Sequence, residues 1–184
     1  MLSDADKQSL LRLARATVEA GVRGGPALDV TSESPALLAP GGAFVTLKNR
    51  GRLRGCIGTF AADAPLAQTV QKMAAQVLRD PRFLMDPVRP DELDNIDIEI
   101  SALGPTEKVT EPLADIELGR HGVRVDGPIG SGCFLPQVAT ETGWSLEEFL
   151  SNCCAGKAGL PPDAWRQPDV TVYRFEAEVF GEKP

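Results

Sequence analysis

The sequence predicts an α+β fold in which helices pack against a mostly antiparallel sheet. Residues 96–101 alternate strictly between isoleucine and polar side chains, as a strand does when one face lies in a core. Two hairpin patterns, at 43–60 and 121–136, each contain a Gly-Cys pair, and a helix pattern follows each hairpin. Hairpins join antiparallel strands, so this order indicates two similar halves that share one sheet.

The first half begins with a helix pattern at 3–20, where Ser3 and Asp6 match a capping box and a glycine cluster follows the last turn. A Pro- and Gly-rich connection at 26–42 leads to the hairpin, whose strands are predicted at 43–48 and 53–60. The next helix begins at Asp63 and Pro65 and stops at Asp80-Pro81, because proline at both places fits a helix boundary.

The second half repeats this order with different residues. Short strands are predicted at 121–125 and 131–136, separated by a glycine-rich turn. Ser145 and Glu148 match a second capping box, and the last strand is predicted at 170–180, with Thr171 and Val179 on its apolar face.

Length and charge limit the classes of function. A chain of 184 residues predicts one domain, with approximate halves 1–105 and 106–184. Its net charge of −7 opposes attraction to phosphate, so we expect neither nucleic acid nor a membrane as a partner. The polar, acidic first ten residues do not resemble a secretion signal, and no apolar run reaches the roughly 18 residues of a membrane span. We therefore expect a cytoplasmic protein.

Four cysteines and one histidine carry most of the possible chemistry. The cysteines form no C-x-x-C pair, so we expect free thiols and no metal site. Cys56 lies between Gly55 and Gly58 and follows Arg54, a cation that favours a reactive thiolate. The alternative is a glycine-bulged strand with a buried cysteine that packs as a small hydrophobe. The adjacent pair Cys153 and Cys154 is predicted to lie in the core.

Several ordered motifs give the chain a family resemblance. They are Gly42–Leu47, Leu53–Thr59 with the sequence LRGCIGT, Arg79–Phe83, Ile98–Ser101, Gly119–Gly122, Phe134–Ala139, Phe149–Leu150, Lys157–Pro161 and Tyr173–Gly181. In these motifs the chain resembles the AMMECR-type domain, called protein A of the AmmeMemoRadiSam system in microbes. The resemblance implies two β-rich half-repeats that share a barrel-like sheet flanked by helices. It also implies possible partners, a Memo-like protein and a radical SAM enzyme, but no settled reaction and no known cofactor.

Matching the motifs residue by residue gives a candidate site in a cleft. Cys56 would be the nucleophile or thiol ligand, His121 the proton carrier, and Glu99 its orienting carboxylate or a base. The remaining members would bind substrate: Arg54, Thr59, Asp80, Arg82 and Gln137. Each role has a structural alternative: His121 as a turn cap, Glu99 on a solvated strand face, and Asp80 with Arg82 as a simple ion pair.

Two functions are consistent with these residues. The first is a small-molecule-binding or catalytic component that works with the Memo-like and radical SAM partners through a cleft around the LRGCIG motif. The second is a non-catalytic scaffold that binds proteins of the same system. A cleft that holds the named side chains favours the first function, and an exposed apolar patch favours the second.

Overall fold

The computed structural model describes residues 1–26 and 34–182, and part of the predicted connection at 26–42 lies outside this range. The helices are α1 (Asp4–Arg23), α2 (Pro35–Leu38), α3 (Leu66–Gln76), α4 (Pro112–Asp115), α5 (Pro136–Thr142) and α6 (Leu146–Cys153). The strands are β1 (Ala43–Asn49), β2 (Arg52–Thr59), β3 (Ile96–Leu103), β4 (Glu107–Lys108), β5 (His121–Asp126), β6 (Ser131–Phe134) and β7 (Thr171–Gly181). The pairings are antiparallel, and the α+β class predicted from the sequence is confirmed.

The chain divides into two compact units. The first unit comprises residues 1–103 and 178–184, and the second comprises 104–177. The last strand, β7, therefore contributes most of its length to the second unit and its C-terminal end to the first.

In the first unit, β1 lies between β2 and β3, and α1 and α3 cover one face of this sheet. Val45 and Leu47 of β1 share that face with Ile98 and Ile100 of β3, and all four are fully or almost fully buried. Burial of such side chains provides the main stabilisation of the unit. The alternation of isoleucine predicted for β3 is confirmed.

Glu182, which follows β7, is hydrogen-bonded to this unit, mainly through Arg15 of α1. The Arg15 guanidinium on α1 pairs with the Glu182 carboxylate and donates to the carbonyls of Leu93 (3.1 Å) and Ile96 (2.7 Å). The Glu182 N–H in turn donates to the Ile98 carbonyl at 3.1 Å. These bonds link α1, β3 and the end of β7.

The second unit has β5 between β6 and β7, with β4 on the other side of β7. Its core combines Val123 and Val125 of β5 with Phe149, Leu150 and Cys153 of α6. After α6 the chain forms a π-helical turn, Cys154–Ala158, which ends at Gly159 in the left-handed region (φ 67°). A glycine is favoured there because it has no Cβ to clash with the backbone.

Both capping boxes predicted from the sequence are confirmed, at Ser3 with Asp6 and at Ser145 with Glu148. Three local predictions were wrong. The helix expected from Asp63 begins at Leu66, because Pro65 is its N-cap, and α3 ends at Gln76 before a 3₁₀ turn. The strand expected to reach Pro136 ends at Phe134, because proline fits the first turn of α5.

The third difference is at the end of β7. Val179, placed on the apolar face by the alternation pattern, is 41% exposed, whereas Phe180 packs against the core of the first unit.

No helix in the described part of the chain combines the length and the hydropathy that a membrane crossing requires.

We predict that Leu10→Ala lowers the free energy of unfolding by about 2–5 kcal/mol, because Leu10 on α1 is fully buried and the change leaves a cavity. Leu38→Ala is the matched control in the same unit, because Leu38 is 51% exposed, and we expect a change within about 0.5 kcal/mol. Denaturant unfolding of both variants measures the difference. Equal losses in the two variants would contradict the assignment of the core.

Candidate functional site

The Cys56 side chain lies in a row across the sheet of the first unit. Thr46 of β1 is paired with Cys56 of β2 on one side and with Glu99 of β3 on the other. Directly paired residues point to the same face of a sheet, so the three side chains share the face opposite the Val45 core. Two of the three residues predicted as catalytic, Cys56 and Glu99, are therefore brought to one face.

The Cys56 thiol is half-buried and accepts a hydrogen bond. The Thr46 hydroxyl donates to Cys56 Sγ at 3.2 Å, and Thr46 itself is buried. A hydroxyl donor stabilises a negatively charged sulfur more than a neutral one. Thr46 is thus the hydrogen-bond donor to the thiol.

The backbone at Cys56 is held by the Asp80 and Arg82 side chains. The Cys56 N–H donates to Asp80 Oδ2 at 2.9 Å, and Arg82 Nη2 donates to the Cys56 carbonyl at 3.2 Å. The two side chains also pair with each other, with Arg82 Nε at 3.0 Å from Asp80 Oδ1 and Arg82 Nη2 at 2.6 Å from Oδ2. Two residues predicted to bind substrate therefore support the strand that carries the thiol.

Asp80 is the buried member of this pair, with 2% of its surface exposed. Hydrogen bonds from the Arg82 side chain and from the Cys56 and Arg82 N–H groups lower its pKa to about 2, against the opposing effect of burial. The carboxylate raises the pKa of the Arg82 guanidinium in return. Asp80 also caps the 3₁₀ turn Pro81–Phe83, which explains why Asp-Pro follows the helical segment.

Gly55 and Gly58 give room to the protein's own chain. A Cβ at Gly55 would lie 2.8 Å from the Val77 carbonyl oxygen, and a Cβ at Gly58 would lie 2.2 Å from the Phe44 ring. The structure shows that the neighbours are the 3₁₀ turn after α3 and an aromatic ring of β1.

The Arg54 guanidinium binds two carboxylates. Its Nε and Nη2 donate to Glu92 at 3.1 and 3.0 Å, its Nη1 donates to Asp86 at 3.0 Å, and Nη2 also donates to the Pro87 carbonyl. The guanidinium that contacts Cys56 is that of Arg82, for which the sequence predicted substrate binding or an ion pair with Asp80. Phe83 connects the two cations, because its ring centroid lies 5.9 Å from Arg54 Cζ and 5.6 Å from Arg82 Cζ.

The other first-unit candidates have local partners. Glu99 forms an ion pair with Lys48, with Oε2 and Nζ 3.2 Å apart, and both side chains are about one-third exposed. Thr59 is paired with Ala43, so it belongs to the face opposite Cys56, and its hydroxyl accepts from the Ala61 N–H at 3.0 Å. Thr59 therefore caps the end of β2.

His121 and Gln137 belong to the second unit. His121 Nδ1 accepts a hydrogen bond from the Glu117 N–H at 2.9 Å, so the N–H of the neutral imidazole is at Nε2. Nε2 lies 3.9 Å from Glu176 Oε1. The His121 N–H donates back to the Glu117 carbonyl, so the residue caps the turn before β5, one of the two interpretations of the sequence. It also lines a cavity of about 430 Å³. Gln137 lies in the first turn of α5, and its side-chain oxygen is buried.

The remaining cysteines lie in the second unit. Cys153 and Cys154 are fully buried in its core, as predicted, and burial raises the pKa of both thiols. An elevated pKa disfavours the thiolate, so neither is suited to nucleophilic chemistry. Within residues 1–26 and 34–182, no three His, Cys, Asp or Glu side chains form a group that could hold a metal ion.

The sequence patterns did not indicate Thr46, Lys48 or Glu92 as partners of the candidate residues. Thr46 carried a usable signal, because it is the single polar residue between the apolar Val45 and Leu47 and so must lie on the other face of β1. Its pairing with Cys56 could not be predicted, because the register shifts between Leu47 and Lys48. Glu92 gave no local signal, because it meets Arg54 only through the tertiary fold.

We predict that Asp80→Asn destabilises the protein in a pH-dependent way. The ordinary Asp pKa is 3.8 and the folded value is about 2, so the charged carboxylate contributes stability above pH 3.8 that is lost as the pH falls towards 2. At ~1.4 kcal/mol per pKa unit, we expect a loss of about 2 kcal/mol near neutral pH.

Denaturant unfolding at neutral and at acid pH measures this difference, with Asp63→Asn as the control because Asp63 is exposed. The gap between the wild type and Asp80→Asn should narrow as the pH approaches 2. A gap of the same size at both pH values would show that the ion pair does not stabilise the fold.

Comparison with known proteins gives one family. The AMMECR1 family model matches residues 11–180. A Methanothermobacter thermautotrophicus protein is 43% identical over 188 residues, covering 98% of this chain and 96% of its own, and a Thermococcus gammatolerans protein is 43% identical over 194 residues, covering 99% and 93%. The crystal structure of an uncharacterised protein, PH0010 from Pyrococcus horikoshii, is similar, with a TM-score of 0.87 and 40% identity over 95% of this chain and 90% of that one. The protein thus belongs to the AMMECR1 family, as its sequence motifs predicted.

Proposed function

We propose that this AMMECR1 domain is a small-molecule-binding or catalytic component whose ligand contacts the Cys56 thiol. The observation that carries the proposal is the Thr46 hydroxyl, which donates to Cys56 Sγ at 3.2 Å on a half-buried sulfur. A thiol that only fills a core needs no such donor, and the fully buried Cys153 has none among the contacts of the described residues.

Two side chains hold the backbone of the strand at the thiol. Asp80 and Arg82 bind both backbone groups of Cys56, so the sulfur is fixed relative to the sheet before any ligand arrives. Preorganised groups lose little entropy on binding, which is a general requirement of a site that recognises a small molecule. The role of the Asp80 and Arg82 pair in this proposal is to position the thiol.

Glu99 is the candidate group for proton transfer in the proposed function, because it shares the face of Cys56, and it is paired with Lys48. His121 belongs to the second unit, where its Nε2 lies 3.9 Å from Glu176 Oε1, and it has no part in this proposal. The partners proposed on the family resemblance remain a Memo-like protein and a radical SAM enzyme, with the AMMECR1 domain holding or delivering a substrate for them.

Alkylation of Cys56 tests the role of the thiol. We predict that Thr46→Val slows the reaction of Cys56 with iodoacetamide by up to about fivefold near neutral pH, because the hydrogen bond of about 1 kcal/mol that Thr46 donates to the sulfur is lost. In the reaction the sulfur displaces iodide from the reagent, and peptide mass spectrometry measures the rate at Cys56 alone. Thr46→Ser is the matched control, because it keeps the hydroxyl and should keep the rate. An unchanged rate in Thr46→Val would remove the main support for a functional thiol.

A protein-interaction scaffold is the second candidate function. It is favoured by two adjacent apolar side chains, Leu84 and Met85, which are 57% and 98% exposed directly after the Arg82–Phe83 segment. Exposed apolar side chains are a common feature of surfaces that bind other proteins.

Affinity capture separates the two functions. If the domain is a scaffold, the wild type should recover a Memo-like or radical SAM protein in stoichiometric amount from native extract, and Leu84→Ser with Met85→Ser should lose it. Cys56→Ala should retain the same partner. Recovery of a small molecule that depends on Cys56, with no stoichiometric protein, would instead support the first function.

A further inference from the structure

A second polar cavity lies in the first unit, beside the β1–β2 turn. Its volume is about 500 Å³, and polar or charged side chains line it. Four of them are arginines, at positions 50, 52, 54 and 89, in a chain whose net charge is −7. Cys56, Thr46 and Asp80 are not among the lining residues, so this cavity is separate from the thiol site proposed above.

Arg54 and Glu92 form the internally neutralised part of the cavity. Burial opposes ionisation of Glu92, but hydrogen bonds from the Arg89 N–H, Arg54 and Asn49 outweigh it and lower the Glu92 pKa to about 2. Glu92 is therefore charged at neutral pH, and its charge is compensated by Arg54. Neither residue is available to attract a further ion strongly.

The guanidiniums of the other three arginines make no hydrogen bond to a carboxylate among the described residues. Arg89 lies 3.6 Å from Asp91 and 3.9 Å from Asp86, distances longer than a hydrogen bond. Arg50 donates from Nε and Nη2 to the neutral Asn95 Oδ1 at 3.3 Å. The Arg52 side chain has no hydrogen bond or ion pair within residues 1–26 and 34–182, and it is exposed. Two guanidiniums, Arg50 and Arg52, thus have no described carboxylate partner.

Arg50 also has an unusual backbone conformation. Its φ is 49°, and it is the one non-glycine residue of the described chain in the left-handed region. Gly51 follows with φ 81°, so the two turn residues have the positive φ values of a hairpin turn that favours Asn-Gly. An arginine there costs roughly 1 kcal/mol or more in strain, and what it supplies instead is a guanidinium beside the cavity.

We propose that this cavity binds the phosphate group of a small polar molecule, held by Arg50, Arg52 and Arg89. Four arginines against three carboxylates, Asp86, Asp91 and Glu92, give the lining a formal charge of +1, which attracts an anion. The guanidiniums together present more N–H donors than the two oxygens of a carboxylate can accept, and the three terminal oxygens of a phosphate monoester match them better. Planar guanidiniums bind phosphate oxygens through paired N–H donors. The polar lining indicates that the cavity recognises the charged group of the ligand and not an apolar part.

Titration with phenyl phosphate, followed by NMR of the backbone and arginine N–H groups at constant ionic strength, tests the proposal. We expect saturable shifts at Arg52 and Asn95, and at least a tenfold loss of affinity in Arg52→Ala, because charge-assisted hydrogen bonds are lost. Arg12→Ala is the matched control, an exposed arginine on α1 that should bind like the wild type.

Two further variants separate binding from folding. Asp91→Asn should bind phenyl phosphate more tightly, because it removes a negative charge from the cavity wall, whereas a misfolded variant would bind more weakly. Arg50→Asn should raise the melting temperature by relieving the turn and weaken binding in the same protein.

The proposal is overturned if Arg52→Ala and Arg12→Ala bind equally, or if Asp91→Asn binds more weakly than the wild type. Acetate and succinate are the comparison ligands. If succinate binds as tightly as phenyl phosphate, the cavity is a dicarboxylate site, and the phosphate assignment is also rejected. None of these titrations measures the alkylation rate of Cys56, so failure of the phosphate proposal is distinguishable from failure of the thiol proposal.

Discussion

Arg54 has no partner on β1, because Leu47 is paired with Gly55 and Lys48 with Leu53. This extra residue is a β-bulge, and it changes the face of every residue that follows it on β2. Without the bulge, Thr46 would be opposite Gly55, and Cys56 would point into the core beside Val45. With it, the thiol meets the Thr46 hydroxyl and the Arg54 side chain is free to reach Glu92.

The bulged strand is also at the edge of its sheet, which leaves one side of its backbone without a strand neighbour. Exposed edge groups are a liability, because they pair with water or with other chains. At Cys56 the Asp80 carboxylate and the Arg82 guanidinium take the place of the missing strand, one accepting from the N–H and the other donating to the carbonyl. The LRGCIG and RDPRF motifs therefore form one structural element, joined further by the cation–π contacts of Phe83 with Arg54 and Arg82.

The Gly-Cys repeat predicted between the two halves has a structural counterpart in each unit. In the first, Gly55 admits the Val77 carbonyl of the 3₁₀ turn after α3, and in the second, Gly132 admits the Ala158 backbone of the π-helical turn after α6. In both units a strand glycine allows the end of a helical segment to approach the sheet closely. The cysteines that follow differ, because Cys56 accepts from a buried threonine hydroxyl, whereas Cys133 is paired with Arg124 at the β5–β6 hairpin.

The sequence by itself determined the α+β class, both capping boxes, the buried face of β3 and the burial of Cys153 and Cys154. These features depend on local periodicity and on residues within a few positions of one another, which a single sequence contains. The tertiary structure decided which face carries Cys56, which cation contacts it and which carboxylates hold Arg54. Those outcomes depend on a one-residue shift in register and on contacts between residues 24 to 38 positions apart, such as Cys56 with Asp80 and Arg54 with Glu92. Local patterns contain no information about either, because both arise only when the strand and the following helical segments pack together.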